Sequence, residues 1–595
     1  MNNNARTNHI HLSSRHRRVQ FRSNMVIPNH MRIFCFLYFE MLIKHICHDF
    51  YIFILFQMYS TKRQIYLLIV LLITSLFLLW GNYDELQILP EPLYRSRTGS
   101  QKQTHLVEIQ IIPEINDTEI NDTNSHASAT TSEMSLVEPK VVYALNETIS
   151  LKIMLFDQRN RPKTRGGDML IVWMRDKSKG AASAGTVIDH DNGTYTGVLR
   201  ILWSGQSVIR AAILSSREKM AFVHREFNNG YIGKRIECFF NVYNLTESTS
   251  GYMDNTFVKM RQVCNLTDKH YGVPLYCIKP KMKGIQCSDW TGITSQRKLP
   301  VPARADNKWY FSSAGPGILP GSVTVTVSSA TNTRMTSQIP CSRTTFKNTW
   351  LSKPVGFFYN SMWNPLSCIN NITAKDYDRC LANRTLRMFG DSTVRQLFSF
   401  MYKHMNLTWR IGPWQTGADL VPTDKWYSYS EAYKKGFNYT VFWSPHGLPM
   451  TFVNANRTAI RPSFVHLDEI PSGSRDIVLI NLYAHFHFFP VHIFRSQMKR
   501  IRQAIKRLLI RSPDVKIAIK GPHYFVVDNV VTTLGSMWGP VYDKIIRQEF
   551  VHLYDHVIYL DVWDMLISVE SSGIHPSEQI LNTMLRTLFG YVCTK

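Results

Sequence analysis

The sequence predicts a multidomain chain in which one transmembrane helix precedes an antiparallel β-sandwich and a C-terminal α/β domain of three layers. Three observations carry this prediction. An uncharged apolar run lies near the N-terminus, short period-2 segments separated by turn residues fill residues 135–223, and strands alternate with helices after Cys380. At 595 residues the chain exceeds the roughly 250 to 300 at which single cores stop growing.

The apolar run, Ile65 to Gly81, is 17 residues without a charge, long enough to cross a bilayer as a helix. Lys62 and Arg63 precede it, and positive charge on that side holds it in the cytosol. Residues 1–63 are therefore expected as a cytosolic extension, 64–81 as a type II signal-anchor, and the remainder as lumenal. A cleaved signal peptide, giving a secreted chain, is the alternative, although no A-x-A-like site follows at LLWGNYDE. The earlier apolar stretch, Ile33 to Phe56, carries Glu40, Lys44 and Asp49, each costly at mid-bilayer. A start at Met58 would give a short basic segment leading straight into the run, which makes residues 1–57 an extension absent from the protein.

Eleven N-x-[ST] sequons, at Asn116, Asn121, Asn146, Asn192, Asn244, Asn265, Asn371, Asn383, Asn406, Asn438 and Asn456, all follow the run, in keeping with lumenal glycosylation. So do eight cysteines, Cys238, Cys264, Cys277, Cys287, Cys341, Cys368, Cys380 and Cys593. An even number in an oxidising compartment predicts up to four disulfides. Zinc is the competing reading, but without a CxxC pair no metal site is assigned. The net charge of +24 suits nucleic acid, membrane headgroups or acidic glycans alike. Nucleic acid is set aside because the Lys and Arg residues are scattered and no zinc-finger, RNP-type or basic-zipper pattern occurs.

Residues 82–134, rich in Thr, Ser, Asn, Glu and Pro without a sustained period, read as a stalk. Residues 135–347 read as an Ig-like sandwich with a Cys-rich extension, from runs such as ISLKIMLFD, DMLIVWM, YTGVLRILW and SVIRAAIL. Residues 348–595 form the α/β part. Leu386–Phe389 reads as a strand and Thr393–Tyr402 as a helix. DIVLINL has the continuous apolar character of a buried parallel strand. Ile501, Ala504, Ile505, Leu508 and Leu509 give the next helix one apolar face, opposite a cationic face that reads as solvated or as an anion site.

LRMFGDSTVRQL places Gly390, Asp391 and Ser392 at a strand-to-helix junction, where ligands gather in open α/β sheets. A helix N-cap is the bland explanation, since Asp or Ser suits one. A serine hydroxyl needs a base within hydrogen-bond reach to act as a nucleophile. His575, in SSGIHPSEQI beyond the last strand, is the candidate.

RPKTRGGDML, DHDNGTYTG, LRMFGDSTVRQL, IRSPDVKIAIK, LDVWDML and the late IHP together resemble the neurexophilin and PC-esterase domain family. The C-terminal part of that family is similar to the SGNH/GDSL hydrolases. The resemblance implies a neurexophilin-like sandwich over 135–347 and an SGNH-like domain over 348–595. It makes Ser392 the nucleophile and His575 the base. The SGNH pattern carries an Asp three positions before the His, where this chain has Ser572, so Asp561 or Asp564 would have to orient the ring. For the oxyanion hole the similarity suggests the Ser392 N–H, with Gly447 and His485 as further donors. Tyr483 stands near the latter where the family prefers glycine.

The function these features imply is hydrolysis or transfer of an acyl group, O-acetyl above others, on a glycan or glycoprotein in the Golgi or secretory pathway. No cofactor is expected. An acyl donor and a glycan substrate are the partners, besides the membrane met through one helix. The alternative is a catalytically inactive, secreted or tethered glycoprotein that binds a cell-surface receptor through its sandwich.

Overall fold

A computed structural model describes residues 115–228, 236–253, 262–295, 317–328, 339–351, 353–411, 429–447, 461–525, 530–571 and 573–594. The short helix α1 (Asp117–Asn121) opens this part of the chain, followed by β1 (Glu133–Leu136), β2 (Thr148–Met154), β3 (Met169–Asp176), β4 (Ala181–Ala184), β5 (Thr186–Asp189), β6 (Thr194–Arg200) and β7 (Gly205–Ser215). One antiparallel sheet has the order β1-β2-β6-β5. Its inward residues alternate, with Ile149, Leu151 and Ile153 of β2 and Tyr195 and Leu199 of β6 buried, the period of a strand with one dry face. They share a core with Val172, Met174, Ile209 and Ala211 of β3 and β7 in the facing sheet.

α2 (Arg217–Asn228) then leads to β8 (Ile236–Val242), β9 (Leu245–Tyr252), β10 (Val263–Asn265), β11 (Tyr276–Ile278) and β12 (Trp290–Ser295). β13 (Gly317–Ile318) and β14 (Val323–Val327) both pair with β7. After α3 (Lys347–Leu351), the hairpin β15 (Gly356–Tyr359) and β16 (Met362–Pro365) joins the same sheet through β4. The central strand of this second sheet, β3, is covered on both faces over Ile171–Met174. Along β3, Val172 and Met174 point to the sandwich core, whereas Ile171 and Trp173 enter the core of the C-terminal part.

That C-terminal part contains α4 (Ala374–Leu381), β17 (Thr385–Gly390), α5 (Ser392–His404), β18 (Thr408–Ile411), β19 (Ser430–Lys434) and β20 (Tyr439–Pro445). It continues with α6 (Ser463–Asp468), β21 (Ile477–Ile480), α7 (Val491–Arg511), β22 (Lys516–Lys520), α8 (Val530–Phe550), β23 (Val557–Leu560), α9 (Trp563–Ser568) and α10 (Glu578–Val592). The sheet order is β18-β19-β20-β17-β21-β22-β23. The five strands from β20 to β23 run parallel, and β18 and β19 form an antiparallel edge. Alternate strand residues serve opposite cores. Val478, Ile480, Ile517 and Ile519 pack with α7 and α8, and Ile477, Leu479, Met388 and Ile558 pack with α5 and α10.

Several expectations are corrected. Among the described residues no helix is long and apolar enough to cross a membrane. The longest, such as α7, keep one charged face, on which Arg502 pairs with Glu549 and Arg507 with Asp468. The expected span at Ile65–Gly81 lies outside the described residues, as do residues 1–114 as a whole. The described residues are built on four sheets rather than on a sandwich and one α/β sheet alone. The Cys-rich segment extends the sandwich only in part, through β13 and β14 on β7; its residues 236–295 do not. They form their own antiparallel sheet, β10-β11-β9-β8-β12, because their apolar side chains, Phe240, Trp290 and Ile293 among them, share a core with α7. The stalk gives way before residue 134, since Ile120 and Ser132 are buried and β1 pairs with β2.

All eight of those cysteines pair, as Cys238–Cys277, Cys264–Cys287, Cys341–Cys368 and Cys380–Cys593. Four disulfides indicate an extracellular or lumenal environment. The described sequon asparagines are exposed apart from half-buried Asn146, and Asn456 lies outside the described residues.

Candidate active site

β17 is the switch point of the parallel sheet. The next parallel strand in sequence, β20, lies on one side of it and β21 on the other, so the carboxyl ends of these strands diverge and open a crevice. Gly390 ends β17 where a Cβ would meet Val394 Cγ2 at 2.5 Å and the Asn481 carbonyl at 3.0 Å. Only glycine allows that approach. Asp391 caps α5 in an extended conformation, accepting hydrogen bonds from Thr393 N at 2.9 Å and Thr393 Oγ1 at 2.6 Å. The turn presents half-buried Ser392 as the first residue of α5, at the positive end of the helix dipole.

The His575 side chain meets it there. Ser392 Oγ and His575 Nε2 are 2.8 Å apart across 183 residues of sequence. Partial burial pushes the His575 pKa below its ordinary value, the nearby Arg395 guanidinium adds to this, and Asp391 opposes it. The ring is thus biased toward the neutral form that a base requires. Asp391 itself is buried. Burial works against its charge, but Lys520 and the bond from Thr393 outweigh that and hold its carboxyl well below the usual carboxylate range. Burial brings Lys520, at the end of β22, down to about 8 against the pull of Asp391.

The remaining sequence candidates fall elsewhere. Asp561 and Asp564 do not bond to His575 and are corrected as its orienting acids. Asp561 accepts from Lys353 Nζ and, at 3.1 Å, from Arg547 Nη2. Asp564 accepts from Lys353 Nζ at 3.4 Å and from Val355 N at 3.3 Å. Both carboxylates are drawn to the Lys353 ammonium, which a distant segment supplies, and Asp561 also to Arg547. Burial raises Asp564 to about 6. For Asp561 the raising effect of burial is overcome by Lys353 and Arg547, and its pKa is lowered. Ser572 lies outside the described residues.

Gly447 follows β20 in a left-handed conformation, φ +68°, against the Arg461 carbonyl. His485 pairs with buried His446, Nδ1 to Nε2, at 2.9 Å. Among the described residues neither Gly447 nor His485 bonds to Ser392, whose side-chain partner is His575. Tyr483 is fully buried, edge-on to the His487, His523 and Tyr542 rings. Among the described residues no group of His, Cys, Asp and Glu is disposed to hold a metal.

Sequence reasoning missed two further residues. His523, just past β22 and buried, donates from Nε2 to the Ile574 carbonyl at 3.1 Å. Glu570, after α9, binds Trp173, Arg175 and Arg210 of the sandwich. His523 had a signal in its place just beyond a strand's carboxyl end, whereas Glu570 had none. A cleft of about 590 Å3 opens beside His575, walled by Gly573 and Gln579 on one side and by Arg175, Lys177 and Gly180 of the sandwich on the other.

The fold and its site define an α/β protein with a serine–histidine pair at the carboxyl edge of a parallel sheet. Residues 363–593 match the family model described as NXPE family member 4-like, C-terminal domain, so the C-terminal part of the chain is similar to that family.

Proposed function

We propose that the chain is a serine-dependent O-acyl esterase or acyltransferase acting on glycans or glycoproteins in the secretory pathway, the Golgi included. The observation that carries this is the 2.8 Å approach of His575 Nε2 to Ser392 Oγ, within the reach that proton transfer needs. His575 takes the hydroxyl proton as Oγ bonds to the acyl carbonyl carbon. The tetrahedral adduct collapses, its bond to the alcohol oxygen breaks, and that oxygen leaves with the proton from His575. Water or a sugar hydroxyl then attacks the acyl-serine with the same proton exchange, which frees Ser392. The N-terminus of α5 supports the developing oxyanion.

One observation favours the alternative of an inactive receptor-binding glycoprotein: among the described residues no carboxylate bonds to the His575 ring. A pair without its acid can lose about 10⁴ in rate, so a slow enzyme is expected. Fluorophosphonate labelling of the purified protein tests the reading. Ser392→Ala should abolish labelling and turnover of p-nitrophenyl acetate, whereas equal labelling of both proteins would remove the nucleophile.

A further inference from the structure

We infer that Glu570 is a positioning residue for His575, so that the β-sandwich fixes the geometry of the serine–histidine pair. The inference rests on the catalytic reading above. Among the described residues no carboxylate bonds to the ring, so the place of His575 depends on the backbone that carries it. That backbone leaves α9 at Glu570, whose φ of +54° is left-handed and unfavourable for any residue but glycine. Such a conformation persists where its surroundings over-determine it, and three donors from the sandwich do so here. Trp173 Nε1 and Arg175 Nη1 of β3 reach the Glu570 carboxylate at 2.9 and 2.5 Å, and Arg210 Nη1 of β7 reaches it at 3.2 Å. The turn is closed by Glu570 N donating to the Ile567 carbonyl and Ser571 N to the Leu566 carbonyl, each at 3.0 Å.

Part-exposed ion pairs add little to overall stability. These, however, converge on one carboxylate five residues before the base, and Glu570 and His575 line the same cleft. Displacing a reacting group by about 1 Å costs on the order of 10²-fold in rate, so a small slip of this turn would be read mainly in catalysis.

Glu570→Gly in the full chain removes the carboxylate and suits the left-handed backbone. Its kcat on p-nitrophenyl acetate and its fluorophosphonate labelling rate should fall roughly 10- to 100-fold, with KM and the melting temperature little changed. Glu570→Gln, which keeps an acceptor for Trp173, should recover part of the rate. Arg175→Met added to Glu570→Gly should cost little more, because the two act as one unit. Should the Gly variant melt below the assay temperature, Glu570→Gln carries the test, with slower labelling in a folded protein as the expected result. Wild-type rates in the folded variants while Ser392→Ala stays unlabelled would overturn this inference alone. Wild-type labelling of Ser392→Ala would overturn both it and the catalytic reading.

Discussion

The carbonyl of Ile574 accepts a hydrogen bond from the buried ring of His523 at 3.1 Å, one residue before His575. His523 is held neutral, mainly by burial, with Lys520 adding to this. It can therefore donate from Nε2 without a charge to desolvate. Removing the donor leaves a carbonyl unpaired and the preceding backbone free to shift. His523→Phe should slow labelling of Ser392 by roughly tenfold or more, measured as the rate of fluorophosphonate incorporation. An unchanged rate would remove this contact from the support of the site.

The pH profile follows from the environment of His575. A base works above its pKa, and burial with the Arg395 charge lowers that pKa below 6.5. Activity should therefore persist below pH 6.5 and fail only at more acid values. Arg395→Met removes one of the lowering influences, so its acid limb should move to higher pH. A limb that stays in place in a kcat/KM titration would count against the assignment of His575 as base.

Stability should decline in acid. Burial lowers His446 and His466 to about 4 and His487 to about 3. The unfolded chain takes up protons on these rings near pH 6.5, whereas the folded chain resists until far lower pH. Stability from these groups is complete above about pH 6.5 and is lost as pH falls toward 4. Thermal denaturation across that window should show a falling melting temperature, and a flat profile would contradict the burial of these rings.

Asp561 should matter for folding rather than for chemistry. It is 3% exposed and answers both Lys353 and Arg547. Asp561→Asn leaves two cations short of a buried partner, a change expected to cost about 3 kcal/mol, readable in urea denaturation. Labelling of Ser392 well below the melting temperature should remain at the wild-type rate. A selective loss of labelling would return Asp561 to the active site.

The sequence made local features visible and left distant ones hidden. Ser392 is legible because the short strand with Leu386, Met388 and Phe389, then Gly390 and the capping Asp391, mark a strand-to-helix turn within a few residues. Ile477–Ile480 is legible as an unbroken apolar run because helices cover both faces of its strand. Asp561 and Asp564 misled for the same local reason. A carboxylate just past a strand signals an acid whatever cation it meets, and Lys353 lies 208 residues upstream of Asp561. Glu570 was silent because its partner Trp173 is 397 residues away in sequence, and period-2 patterning does not say which element covers the far face of a sheet. The same gap explains why the disulfide-bearing sheet of residues 236–295 was assigned to the sandwich. Its disulfides are local, whereas its packing partner, α7, comes more than 200 residues after Cys287.

The hairpin β15–β16 belongs to the C-terminal stretch in sequence, yet it completes the sheet of β4, β3 and β7. A fragment truncated at residue 348 would keep Phe357, Phe358 and Trp363 but lose the strands that shelter them. It would bare an apolar surface and an open strand edge, the conditions for aggregation. Efforts to obtain the histidine-bearing half alone should give insoluble material, and the shortest workable piece would have to begin ahead of β1.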